Sequence, residues 1–328
     1  MQTEISFDKA YGCLAGLALG DALGLPTEML TTPLIAEWYG EIRGLTAIDT
    51  RHPHHNLPRG SVSDDTDQAL LLAQLLIEDG TIDPHRFAQK LLAWSRTPRV
   101  RENNFLGKAT RAALDAIAAG APIESTGRGE TIGAAMRVAP VALAFASREK
   151  LIEQVAASCL PTHNTHAAIS GAMAVAFAVS AAFEPNATVE TMTDAAAEGA
   201  RIGGEFGAWS WTPPLDQRIA WAICAAETMS PRDAAQFAYQ VIGTGEAPWE
   251  LIPSAFAILR AADGEPMPAL LAAANAGGDT DTLGAIVGAL AGALRGIDGL
   301  DAAMVKQVER VNDLDLASRA RKLAQRDA

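Results

Sequence analysis

Glycine recurs every fourth residue in two places far apart in the chain. Gly12, Gly16, Gly20 and Gly24 form one series, and Gly284, Gly288 and Gly292 the other. Inside a helix each glycine costs about 1 kcal/mol relative to alanine. A spacing of four lines such residues along one helix face, where two backbones can approach closely. One reading is that these helices are merely rich in small residues. The more constraining reading is close helix contact, with the two stripes facing each other.

The rest of the 328 residues suits a helical frame. Hydrophobic residues make up 49% and aromatics only 5%, and the apolar content is mostly Ala and Leu, which favour helices over strands. Apolar periodicity predicts helices over 7–19, 65–78, 83–96, 107–119, 133–146, 148–159, 166–183, 188–198, 216–227, 231–242, 252–262, 267–276, 283–294 and 301–311. Asp83-Pro84 and Ser230-Pro231 are recognisable helix starts. The stretch "LTAIDT" at 45–50 is the only plausible strand. Loops concentrate at 51–62, 121–133 and 207–215. No Gly/Ser-rich or charge-rich linker divides the chain, so one compact all-α domain over 1–328 is expected.

Net charge is −13, and no basic stripe occurs. Nucleic acid is therefore an unsuitable partner. An anionic ligand would need local help from a metal or from backbone N–H groups. Cys13, Cys159 and Cys224 are scattered and make no CxxC. They read as small buried hydrophobes in a reducing compartment, the cytoplasm. The N-terminal stretch lacks a basic region, and Asp21 interrupts its apolar run, so it does not read as a signal peptide. The apolar run at 166–183 lacks flanking Lys or Arg and reads as a buried helix, not a membrane span.

The chemistry sits in two acidic stretches. "SDDTD" (63–67) and "GGDTDT" (277–282) each stand directly before an apolar helical run. Capping accounts for one or two such residues at a helix start. It accounts poorly for a run of five, or for paired aspartates whose mutual repulsion needs an offsetting cation. Asp, Ser and Thr supply the oxygen ligands of hard divalent cations, and no Cys cluster points to zinc. If the two stretches meet, four carboxylates and two hydroxyls suffice for two Mg²⁺ or Mn²⁺.

These motifs resemble the ADP-ribosylglycohydrolase family. "GLALGDALGLPTE" (16–28), "SDDT", "GAAMRVAP" (133–140), "PTHNTHAAISGA" (161–172) and the late "GGDTDT" fall in that family's order and span nearly the whole chain. The resemblance implies an all-α fold with a dinuclear metal cleft. It implies that Ser63, Asp64 and Asp65 ligate two Mg²⁺ (or Mn²⁺) from one side and Asp279, Asp281 and Thr282 from the other. Ser63 stands where many members carry Thr. Thr66 and Asp67 would lie behind the ligands or cap the helix, and Asp21 would bond backbone at a tight turn between Gly20 and Gly24. Glu28 is the implied acid–base residue, on a loop after the first helix, with Asp65 as a second proton acceptor.

By the same resemblance, Gly127, Gly129 and Gly133 would let backbone N–H groups approach a diphosphate or ribose, and His163 would lie next to ADP-ribose. Where the family usually has "NGA" this chain has Ile132-Gly133-Ala134, an apolar side chain in place of an amide. Arg137 reads better as a buried charge tying the core together than as a phosphate ligand. His52, His54 and His55 read as an exposed loop, and Trp209 and Trp211 as aromatics pinning a loop to the core. The implied reaction is metal-dependent hydrolysis of a ribosyl glycosidic bond in an ADP-ribose-like small molecule or an ADP-ribosylated protein, with no membrane partner. The alternatives are a non-catalytic, crystallin-like ADP-ribose-binding relative and a Mg-dependent phosphohydrolase.

Overall fold

The two glycine stripes face each other. In the computed structural model, which describes residues 5–325, helix Phe7–Gly24 runs antiparallel to helix Thr280–Arg295. A Cβ added at Gly12, Gly16, Gly20 or Gly24 would lie 2.4, 2.1, 1.9 and 2.1 Å from the carbonyl oxygens of Gly292, Gly288, Gly284 and Thr280. Real Cβ atoms do not come that close, so any side chain here forces the helices apart. Leu270, from helix Pro266–Ala274, closes against the seam at Gly20 and Gly288. Every residue from 280 to 294 is buried.

Around this pair the described residues form eighteen α-helices with short 3₁₀ and π turns, and no strand. One apolar cluster runs from Ile5 to Leu323 and takes in most of the helices. A small satellite joins Ala222, Ala226, Ile242 and Ala257. Helix His166–Ala181 is buried over nearly its whole length. No helix among the described residues is long and apolar enough to cross a membrane.

Several expectations are corrected. The first helix runs on to Gly24, because its glycines serve packing instead of ending it, so Asp21 lies within the helix and at no tight turn. Residues 45–50 are irregular. The buried stretch 133–146 is no single helix. It breaks into a 3₁₀ turn, Ile132–Ala134, and a short helix, Ala139–Ala142, with Pro140 at its start, because proline lacks the N–H a helix interior needs. Cys13 and Cys159 are buried, but Cys224 is exposed. Trp209 and Trp211 are exposed, the Trp209 ring lying tilted against His166 with centroids 6.3 Å apart.

The seam predicts a sharp contrast between glycines. Gly288→Ala should destabilise the protein by about 3 kcal/mol in urea unfolding, despite alanine's better helix propensity. Gly107→Ala, where a Cβ would meet nothing within 4 Å, should change stability by less than about 0.5 kcal/mol. Equal effects at the two positions would refute the close-contact account.

Candidate active site

Each acidic stretch is placed by a helix start. Helix Asp64–Asp79 begins at the first, with Ser63 as its N-cap accepting from the Asp65 N–H at 3.3 Å. The second precedes Thr280–Arg295. There Gly277 and Gly278 adopt φ of +85° and +81°, a region glycine enters without strain. This double turn carries the chain past Thr244, whose Oγ1 would lie 2.3 Å from a Cβ at Gly278. Asp279 occupies the N-cap position, yet its side chain makes no capping bond. The carboxylate that capping would have explained is therefore not used for capping.

The two stretches touch. Thr282 Oγ1 donates to Asp65 Oδ2 at 3.4 Å, and Ser63 Oγ donates to the same oxygen at 3.2 Å. The other oxygen, Asp65 Oδ1, is buried without a partner, as is Asp281 Oδ1. Buried carboxylate oxygens without donors are costly. Among the described residues no three His, Cys, Asp or Glu side chains close round one point as they stand. The fit to a cation rests instead on these two unpartnered oxygens and on the donor set, which is all carboxylate and hydroxyl.

Asp21 holds the frame behind this contact. Its carboxylate accepts from the Ser63 N–H at 2.9 and 3.0 Å, the Thr66 N–H at 3.1 Å and Thr66 Oγ1 at 2.5 Å. Asp21 thus clips the glycine-seam helix to the acidic helix start, and Thr66 serves that clip. Asp67 instead pairs with Arg99 and accepts from Trp94 Nε1 at 3.0 Å. On the other side, Thr280 Oγ1 donates to the Gly24 carbonyl at 3.0 Å.

The carboxyl groups crowd one another. Burial, followed by the charge of Asp281, pushes Asp64, Asp65 and Asp279 well above the usual carboxylate range, and Asp21 up to about 7. The charge of one aspartate thus reaches carboxyls from three separate segments. Helix N-termini favour the ionised forms, but not by enough to offset this crowding.

Glu28 shares the field. Its carboxyl is raised by burial and then by the charges of Asp281 and Glu246. It stands on no free loop, because Met29 N–H bonds the Gly278 carbonyl at 2.7 Å and Leu30 bridges Gly278. The residue before Asp279 therefore holds the backbone after Glu28. His52 and His54 were expected to be solvated but are buried. His54 Nε2 lies 3.2 Å from Glu28 Oε2, and His52 Nε2 lies 3.1 Å from the Glu28 carbonyl. A tract of three histidines in a Pro- and Gly-containing loop gave no sign of a partner 24 residues away.

The glycine loop is built around His163. A Cβ at Gly129 or Gly133 would come within 2.6 and 2.7 Å of the imidazole, and one at Gly127 within 2.3 Å of the Leu160 carbonyl. The Gly129 N–H bonds the Thr162 carbonyl at 2.9 Å. The close approach that these glycines permit is thus to the chain itself. Ile132 points into the apolar cluster while its N–H bonds the Glu246 carbonyl at 2.8 Å. His163 is wholly buried, with Nδ1 2.8 Å from Thr162 Oγ1 and Nε2 3.1 Å from Thr131 Oγ1.

The buried guanidinium of Arg137 donates to Thr162 Oγ1 at 2.7 Å and to Gln68 Oε1 at 2.6 Å, while Gln68 donates to Asp64 at 2.8 Å. A polar chain therefore links the carboxylates to His163, and Arg137 ties the core together as expected. The Thr162 hydroxyl thus joins the Arg137 guanidinium to Nδ1 of the imidazole. Burial and then the Arg137 charge hold the His163 pKa down to about 3.

The geometry has counterparts. The ADP-ribosylglycohydrolase family model matches residues 2–328. The uncharacterized protein YegU of Escherichia coli (strain K12) is 33% identical over 99% of this chain and 97% of its own length. The ADP-ribosyl-[dinitrogen reductase] glycohydrolase of Rhodospirillum rubrum is 26% identical over 92% of this chain and 90% of its own. A solved structure described as an ADP-ribosylglycohydrolase-related protein complex superposes with a TM-score of 0.74 at 26% identity, covering 98% of this chain and 99% of that one.

His163 gives the fold an acid sensitivity. The unfolded chain, titrating near 6.5, binds a proton that the native imidazole refuses until about pH 3. Its contribution is present above pH 6.5 and is lost as pH falls towards 3. Between pH 7 and pH 5 wild type should lose about 2 kcal/mol from this group. His163→Gln should lose about 2 kcal/mol less over the same interval in urea titrations, and parallel pH slopes would refute the assignment.

Proposed function

The chain belongs to the ADP-ribosylglycohydrolase family, and on that premise we propose that it is a metal-dependent glycohydrolase cleaving a ribosyl glycosidic bond of an ADP-ribosyl or related adduct. The single observation that carries this reading is the meeting of Ser63, Asp65 and Thr282 on one carboxylate oxygen, with Asp65 Oδ1 and Asp281 Oδ1 left unpartnered. Ser63, Asp64, Asp65, Asp279, Asp281 and Thr282 would hold two Mg²⁺ or Mn²⁺. When bound, the ions supply an acidified water and a grip on ribose hydroxyls.

The chain's own groups handle the protons. Burial, followed by the charges of Asp281 and Glu246, raises the Glu28 carboxyl well above the usual range and favours its protonated form, which suits a general acid. The bond from the anomeric carbon to the leaving nitrogen or oxygen breaks, and Glu28 delivers its proton to the leaving atom. The water oxygen bonds the anomeric carbon, and its proton passes to Asp65. Charge builds on the ring as in other glycosidases. Gly127, Gly129, Gly133 and His163 would lie behind the wall against which the ADP-ribose-like group rests, with the polar chain through Arg137 and Gln68 keeping that backing in register with Asp64. One domain over the full length and a cytoplasmic location complete the reading, supported by the continuous apolar cluster and the three free cysteines.

Purified protein incubated with ADP-ribosylated arginine and serine peptides in Mg²⁺ or Mn²⁺ should release free ADP-ribose, and chelator should stop it. Release of phosphate without free ribose would replace the reading with a phosphohydrolase, and binding without turnover would replace it with a non-catalytic relative.

Asp281→Asn should abolish the metal-dependent turnover. Saturating Mg²⁺ at about a hundredfold over Kd should stabilise wild type by about 2.7 kcal/mol and leave Asp281→Asn nearly unchanged in thermal melts. Equal shifts in both proteins would mean Asp281 holds no ion.

A further inference from the structure

The loop at 51–62 is folded in under Glu28. His54 Nε2 faces Glu28 Oε2 at 3.2 Å, with side chains 10% and 23% exposed. The other ring nitrogen, Nδ1, is buried and has no partner. A buried N–H without an acceptor is rarer and costlier than a buried lone pair, so the proton sits on Nε2 and points at the carboxyl. His52 is fixed by the same logic. Its Nδ1 accepts from the His54 N–H at 3.2 Å, so its Nε2–H donates to the Glu28 carbonyl. The two imidazoles thus grip Glu28 by side chain and by backbone.

This grip is braced from the acidic helix. The His54 ring packs on Phe105, with centroids 5.2 Å apart, and the Arg99 guanidinium lies over the Phe105 ring, 5.1 Å from its centroid. Arg99 in turn pairs with Asp67 and donates to the Val62 carbonyl at 2.5 Å, one residue before Ser63. The support of Glu28 is therefore continuous with the support of the proposed metal ligands.

We propose that His54 is a positioning residue for Glu28: its Nε2–H occupies Oε2, so that Oε1 is the oxygen through which Glu28 exchanges its proton with substrate. This rests on the proposed function, since it assigns a role within that reaction. A carboxyl free to rotate would present either oxygen; one held by a donor presents one, and a single defined proton donor geometry favours the transition state over the bound substrate.

The test uses full-length protein with Mg²⁺ and the ribosyl substrate it turns over. His54→Phe keeps the ring packing and removes the donor. It should lower kcat by about tenfold with KM held within about twofold, the size expected for one hydrogen bond to a charged or acidic group felt in the transition state. His54→Gln, which restores a side-chain N–H, should recover most of kcat. Added to Glu28→Gln, His54→Phe should cost nothing further. A rise in KM instead of a fall in kcat, no rescue by Gln, or fully additive losses in the double variant would make His54 a packing residue and overturn the proposal. If wild type turns over no ribosyl substrate, it is the proposed function that fails. Crystal structures of wild type and His54→Phe then decide the positioning: a displaced Glu28 carboxyl upholds it, and an unmoved one ends it.

Discussion

The backbone contact between helices Phe7–Gly24 and Thr280–Arg295 is the constraint on which the molecule depends. Side-chain-free faces let carbonyl oxygens of one helix sit where the other would otherwise carry Cβ atoms. That proximity fixes the position of Asp21 on one helix and of Asp281 and Thr282 on the other. Asp21 then captures the start of a third helix through Ser63 and Thr66. The carboxylates are brought together by packing of small residues, and not by any attraction among themselves.

That order of causes explains the electrostatics. Burial raises the carboxyls of Asp64, Asp65, Asp279 and Glu28, and the like charge of Asp281, drawn close against its repulsion, raises them further. The strain is stored in the site because the apolar frame around it over-determines the geometry. Within this cluster Asp65 Oδ1 and Asp281 Oδ1 are buried without a hydrogen-bond partner.

Much of this was legible in the residues. The glycine spacing pointed to the seam, and the two acidic stretches pointed to a shared site, because both signals are local patterns with few physical meanings. Arg137 was readable as a core charge because an isolated cation in an apolar stretch must find buried partners. What was illegible depends on partners distant in sequence. His52 and His54 sit in a loop whose composition says solvent, and only Glu28 and Phe105 make their burial worthwhile. Asp21 looked like a turn residue until Ser63 and Thr66 were seen to approach it. The break in the predicted helix at 133–146 needed Pro140 to outweigh a long apolar run, and the exposure of Trp209 and Trp211 contradicts their size.

The seam also joins segments far apart in the sequence, with a consequence for how the protein folds. On the ribosome, helix Phe7–Gly24 emerges with its bare glycine face uncovered, and its mate is synthesised about 250 residues later. Closing so long a loop is an entropic cost that must be met before the contact rewards it. Until then Asp64 and Asp65 lack the opposite half of the acidic cluster, Asp279 and Asp281. The acidic cluster is thereby assembled only when the seam closes.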